Sequence, residues 1–383
     1  MTKLFNDPAQ FTEDMLVGFL DAHACHVTGV PGGVVRANKT APGKVAVVIG
    51  GGSGHYPAFC GTVGPGFADG AVVGNIFTSP SAEAAASVAR AAHSDAGVLL
   101  TTGNYAGDVM NFGLAVSQLE SEGIEAVYFA VTDDVVSAPK GEEAKRRGIA
   151  GDFVVFKCAG AAAEDGLDLE NVVRVAKAAN DATRTLGVAF DGCTLPGADH
   201  PLFTVPEGRM GLGLGIHGEP GVADHPMPSA AELAATLVDG VLEDLPENAS
   251  RRIAVILNGL GRTKYEELFV VWGTAAQLLR QRLRESRTRG RRARHQSRHG
   301  GLLANGDVAW RGTREVLDRT GRHPGLPQRR RCFHAGGGEA HRCRRRCRGG
   351  HTGAGRTLRR RRPALWSVRR VRRQSHRPHA GRR

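Results

Sequence analysis

The sequence predicts an α/β protein: two α/β units with parallel or mixed sheets, the second truncated, then a disordered Arg-rich tail. Three observations predict it. Short apolar, β-branched runs alternate with longer segments of helical period up to about residue 281. Gly-rich polar segments follow those runs, at the strand ends where open α/β sheets bind ligands. The chain then changes character: residues 1–281 hold 19 Lys and Arg against 33 Asp and Glu, and residues 282–383 hold 32 against 5. The expected division is a first unit over residues 1–185, a second over 186–281, and a tail over 282–383.

Each element has its own signal. Residues 11–23 place Phe11, Met15, Leu16 and Phe19 on one face of an amphipathic helix. Residues 45–49 are continuously apolar, as in a strand buried on both faces. They lead into Gly50-Gly51-Gly52-Ser53-Gly54-His55. Residues 71–73 are a short strand candidate. Residues 81–92 open with Ser81, carry Glu83 in the first turn and are rich in Ala, which predicts a capped helix. A strand at 97–100, a helix at 109–122 and a strand at 124–131 follow. A helix at 171–185 and a strand at 186–190 lead into the second unit. There, residues 192–221 are rich in Gly and Pro, 229–242 form an amphipathic helix, 253–257 a strand, and 264–281 the start of a helix.

The tail differs in kind. The last Lys is Lys264, so every basic residue beyond 281 is Arg, and no apolar period of 3.6 or 2 is sustained there. Such a segment cannot bury enough surface to offset chain entropy. It reads either as a basic nucleic-acid-binding arm or as a GC-rich gene translated in the wrong frame. Residues 293–303, back-translated with freely chosen synonymous codons and shifted by one base, read LVTSLDMAGCS, an ordinary protein sequence. The frame explanation is preferred, and no nucleic-acid partner is expected.

The cysteines suggest no disulfide framework. Cys25, Cys60, Cys158 and Cys193 are widely separated, and Cys332, Cys343 and Cys347 fall in the tail. Cys343 and Cys347, with His334 or His341, have metal-like spacing but nothing around them to hold a site, so no metal is assigned. The N-terminus lacks an apolar signal core and no run is long enough to span a membrane. A cytoplasmic protein with no membrane partner is expected.

Three motifs carry chemistry. Residues 50–55, GGGSGH, follow a buried strand, and glycines there let backbone amides approach a ligand. The spacing matches neither GxGxxG nor a Walker A loop, and a tight turn with a surface His55 reads the same. Residues 103–112, GNYAGDVMNF, place Asp108 at a helix N-terminus. There it acts either as an N-cap or as a carboxylate that takes a proton from a substrate hydroxyl. Residues 211–221, GLGLGIHGEPG, set His217 between glycines, more than a packed core histidine needs. Its neutral imidazole is a nucleophile available near neutral pH.

Together GGGSGH, NYAGDVMNFGLA, DGCTLPG and GIHGEPG, in that order, resemble the sugar-binding K domain of dihydroxyacetone kinases. The resemblance covers about residues 1–281, and NIFTSPS at 75–81, KCAGAAAE at 157–164 and NGLG at 258–261 add to it. It implies that His217 adds to the carbonyl of a short ketose, dihydroxyacetone or erythrulose, to give a covalent hemiaminal. It further implies that Asp108 takes the proton of the attacked hydroxyl and that His55 assists. Gly52, Ser53, Gly54 and Gly103 would line the sugar pocket.

Two departures stand out: Tyr56 where the commoner pattern has Glu, and Gly103 where it has Lys. Loss of that cation is expected to open room in the sugar site. HYPAFCGTVGPGF at 55–67 resembles the branch that phosphorylates erythrulose. ATP and Mg²⁺ belong to an L domain or subunit, and residues 282–383 contain only Asp307 and Asp318 with which to build one. The chain as written is therefore expected to bind no nucleotide and to be inactive as a kinase by itself, and a homodimer is expected. The alternative is a non-catalytic ketose-binding or regulatory protein of the same lineage.

Overall fold

The apolar run at residues 45–49 is the centre of the first sheet, and its buried strand extends over β3 (Ala46–Ser53). In the computed structural model, which describes residues 4–296 except 247, 248, 250, 251 and 262, that sheet has six strands. The others are β1 (Val27–Val30), β2 (Gly33–Arg36), β4 (Gly70–Ile76), β5 (Val98–Gly103) and β6 (Ala126–Val131). The order is β1-β2-β4-β3-β5-β6. β3 pairs in parallel with β4 on one side and β5 on the other, and β5 pairs in parallel with β6. The β1–β2 and β2–β4 pairs are antiparallel, so the sheet is mixed.

Alternation along β3 explains the layers. Val45, Val47 and Ile49 pack into one core with α1 (Phe11–Ala22), α4 (Asp152–Glu164) and α5 (Leu169–Asp181). Ala46 and Val48 pack into another with α2 (Ala82–Ala92) and α3 (Ala106–Ser121). A strand enclosed on both faces must be apolar at every position, which is why its sequence shows no period of two. Ser81 caps α2 by accepting the Ala84 N–H, as its position predicted. The β1–β2 hairpin and α4 are additions to the elements expected. α4 is buried from Val155 to Ala163, so apart from Lys157, which bonds the Gly66 carbonyl, that span is apolar or small all round and carries no amphipathic signal.

The segment from residue 186 onward differs in detail from the expectation. Its sheet is antiparallel, with three strands in the order β7-β8-β9: β7 (Val188–Ala189), β8 (Arg209–Leu212) and β9 (Ala223–Pro226). α6 (Ala230–Glu243) opens with a capping box between Ser229 and Glu232, and with Met210 and α7 (Tyr265–Gln296) it forms a third core. The expected strand at 253–257 is absent. Among the described residues nothing pairs with that run, and Ile253, Val255 and Ile256 are exposed. A buried strand needs neighbours on both edges, whatever its propensity. α7 continues fifteen residues past the boundary expected at 281, through a stretch in which Arg and Leu are strong helix formers. The rest of the expected tail, 297–383, lies outside the described residues, as do Cys332, Cys343, Cys347, His334 and His341.

The two sheets are tied by buried charge. Arg146, 1 % exposed, grips Asp244 at the end of α6 through two hydrogen bonds of 2.7 and 3.0 Å. Arg147 bonds Asp134 beyond β6 at 3.0 Å and the Gly213 carbonyl at 2.8 Å. Such bidentate arginine contacts fix orientation as well as distance. Arg147 thereby sets the β8–β9 loop, which carries His217, over the ends of the parallel strands. Among the described residues no helix is long and apolar enough to cross a membrane.

Candidate functional site

Adjacent strand ends bring the first two motifs together. β3 and β5 are parallel neighbours, so Gly52–His55 and Gly103–Asp108 leave the sheet side by side. The β8–β9 loop brings His217 to them: its Nε2 lies 2.9 Å from His55 Nε2. This junction joins residues 162 positions apart.

The glycines of the first motif serve close packing. A Cβ on Gly52 would lie 2.5 Å from the Thr78 nitrogen, and Gly54, at φ +102°, would put one 2.7 Å from the Phe77 ring. Phe77 itself sits at φ +52°, uncommon for a bulky residue and of order 1–2 kcal/mol uphill. Its ring lies 4.8 Å from His55, stacked, and 5.2 Å from His217. The Ser53 hydroxyl faces Thr12 of α1 at 3.3 Å, and Thr12 in turn donates to Asn75 at 3.0 Å.

His217 is held from three sides. Tyr105 and His55 meet its ring edge-on, each at 4.9 Å between centroids. Glu219 meets its far side: Oε1 lies 2.9 Å from Nδ1, and Oε2 accepts the His217 backbone N–H at 3.0 Å. Gly215 makes room for that carboxylate, since a Cβ there would clash with Glu219 Oε2 and lie 2.6 Å from Arg147 Nη1. Burial disfavours the charged Glu219, but hydrogen bonds from the His217 side chain and the local backbone outweigh it and hold the acid at about 2. Burial, with His217 beside it, lowers His55 to about 4, so His55 is neutral at neutral pH.

Asp108 is 8 % exposed, in the first turn of α3. It is not the N-cap. That position is Tyr105, and its side chain makes no capping bond. Asp108 Oδ1 is buried without a hydrogen-bond partner. Burial raises its pKa, opposed by a Ser79 hydrogen bond and by nearby His217. A carboxyl with one oxygen left free and a raised affinity for the proton suits general-base work.

Gly103 corrects one expectation. The missing side chain does not open room. A Cβ there would lie 2.8 Å from the Gly148 carbonyl oxygen, 3.1 Å from Tyr105 Cε2 and 3.2 Å from Asp152 Oδ2. The space a lysine stem would need is filled by the loop that precedes α4. Sequence reading also missed Glu219, Tyr105, Phe77 and Asp152. Glu219 and Tyr105 lie inside motifs already singled out, but no spacing rule told them from ordinary loop residues. Among the described residues no group of three or more His, Cys, Asp or Glu side chains could hold a metal ion.

A D-erythrulose kinase of Mycolicibacterium smegmatis is 84% identical over 282 residues, covering 74% of this chain and 49% of that protein. A dihydroxyacetone-binding subunit of a PTS-dependent dihydroxyacetone kinase of Listeria innocua is 38% identical over 285 residues, 74% of this chain and 86% of that one. The crystal structure of the dihydroxyacetone kinase of C. freundii superposes with a TM-score of 0.66 at 36% identity, covering 72% of this chain and 51% of the other. The chain thus spans about half the length of the curated erythrulose kinases it matches, 49% and 48% for two of them. A family model for the Dak1 domain matches residues 17–289, and the chain belongs to that family.

Proposed function

We propose that this chain captures a short ketose as a covalent hemiaminal on His217 and presents its terminal hydroxyl for phosphorylation, as the ketose-binding part of an erythrulose- or dihydroxyacetone-type kinase. The observation that carries the reading is the line Glu219–His217–His55, joined by two contacts of 2.9 Å. An ionised Glu219 can only accept, so Nδ1 of the neutral His217 ring carries the proton and Nε2 keeps its lone pair. His55, neutral, then donates its Nε2–H to that lone pair. This proton placement follows from the hydrogen-bond network.

A ketose carbonyl entering between the two rings meets a nucleophile on one side and a proton donor on the other. The His217 Nε2–carbon bond forms as the carbonyl π bond breaks. The oxygen takes the proton from His55, which regains one from solvent at its other nitrogen. The positive charge left on the His217 ring is offset by the ionised Glu219, which keeps accepting the Nδ1–H bond. Alcohols such as glycerol offer no carbonyl and are excluded, and the captured sugar is fixed in place for the next step. Asp108 is the base for the hydroxyl to be phosphorylated. The phosphoryl donor, ATP with Mg²⁺, would come from an L domain or subunit.

Native mass spectrometry of the full chain with dihydroxyacetone or erythrulose tests this. One ketose mass per chain, lost in His217→Ala, is expected. An adduct that survives His217→Ala, or no adduct at all, overturns the reading.

A further inference from the structure

Two buried polar groups, one of them on a residue packed against His217, have no role in the capture step. Asp152 opens α4, and its Oδ1 is buried without a hydrogen-bond partner; the Tyr105 hydroxyl is in the same condition. An orphaned buried polar group is costly to folding and needs a reason. The two meet at Gly103, whose absent side chain lets Tyr105 Cε2 and Asp152 Oδ2 come within 3.1 and 3.2 Å of where a Cβ would sit. Asp152 is surrounded by protein yet is not wholly sealed from solvent. Tyr105 has the same setting, with its ring 4.9 Å from His217. Asp108 lies close enough to Asp152 to oppose its ionisation. Through Tyr105 the pair adjoins the capturing histidine, and through Asp152 it adjoins the base.

We propose that the Tyr105 hydroxyl and the Asp152 carboxyl form a polar subsite for the additional hydroxyl of a four-carbon ketose, making them specificity-determining residues. The proposal rests on the capture reading above. Burial first, then the Asp133 and Asp108 carboxylates, raise the Asp152 acid well above the usual carboxylate range and so favour its protonated form, which can donate as well as accept. A triose held through its carbonyl leaves both groups unpartnered, whereas a tetrose reaches them. Sites built to bond a hydroxyl discriminate strongly against the analogue that lacks it, because their own polar groups stay unsatisfied.

The test is adduct occupancy of the full chain, by native mass spectrometry, titrated with erythrulose and with dihydroxyacetone. The unaltered chain is expected to half-saturate at lower erythrulose than dihydroxyacetone. Tyr105→Phe and Asp152→Ala should each reduce that preference about tenfold. Asp152→Asn, neutral and able to donate, should keep it within about threefold. If the chain captures both ketoses without preference, or if neither Tyr105→Phe nor Asp152→Ala changes the preference, the subsite is overturned while capture stands. If the unaltered chain carries no adduct, or His217→Ala keeps it, the capture reading falls and the subsite with it.

Discussion

Glu219 holds His217 at both ends of one residue: Oε2 accepts its backbone N–H at 3.0 Å and Oε1 faces its ring Nδ1 at 2.9 Å. A single carboxylate thus fixes where the residue sits, how the ring is turned and which nitrogen is free to attack. Glu219→Gln keeps the shape and removes the charge. Ketose capture should weaken about 10- to 100-fold, the loss of one charge-assisted bond. Adduct titration and thermal unfolding, measured together, check it. A melting temperature within a few degrees of the parent, with capture impaired, is the expected pair; unimpaired capture would show that Glu219 does not orient the ring.

The pH dependence of stability has two windows. His55 titrates at about 4 in the folded chain against about 6.5 in an unfolded one. The unfolded state binds more protons between those values, so its contribution is complete above about 6.5 and is lost as pH falls toward 4. Glu219 is depressed to about 2, so its contribution is complete above about 4.5 and is lost as pH falls toward 2. Urea unfolding of the parent between pH 7 and 4 should show a decline that His55→Gln flattens. Parallel profiles for the two proteins would contradict the buried, neutral His55.

Asp108 should carry a stability cost. Its pKa is raised by burial and its Oδ1 lacks a partner, so ionisation at neutral pH opposes folding. Asp108→Asn should stabilise the chain by about 1 kcal/mol, or roughly 2–4 °C in Tm, while ketose capture persists. Calorimetry beside adduct titration measures both. A destabilised Asn variant would mean that the carboxylate is satisfied by a contact other than Ser79.

The sequence by itself determined the parallel core and where its loops fall. Residues 45–49 had to be a strand enclosed on both faces, because nothing in them could face water, and the glycine-rich segments had to follow strand ends. It also marked His217, set among more glycines than a packed histidine needs, and singled out His55 and Asp108 through the resemblance that the motifs carry together. Only the tertiary structure decided what those residues do to one another. That Asp108 is buried and not a cap, that Glu219 faces His217 Nδ1 and that Tyr105 and Phe77 wall in the ring depend on which strands are neighbours and on Arg147 anchoring the β8–β9 loop. Local pattern could not yield them, because a contact across 162 residues leaves no period in the chain. The antiparallel second sheet and the unpaired run at 253–257 have the same cause: strand propensity is local, but a strand exists only where another edge is present to receive it.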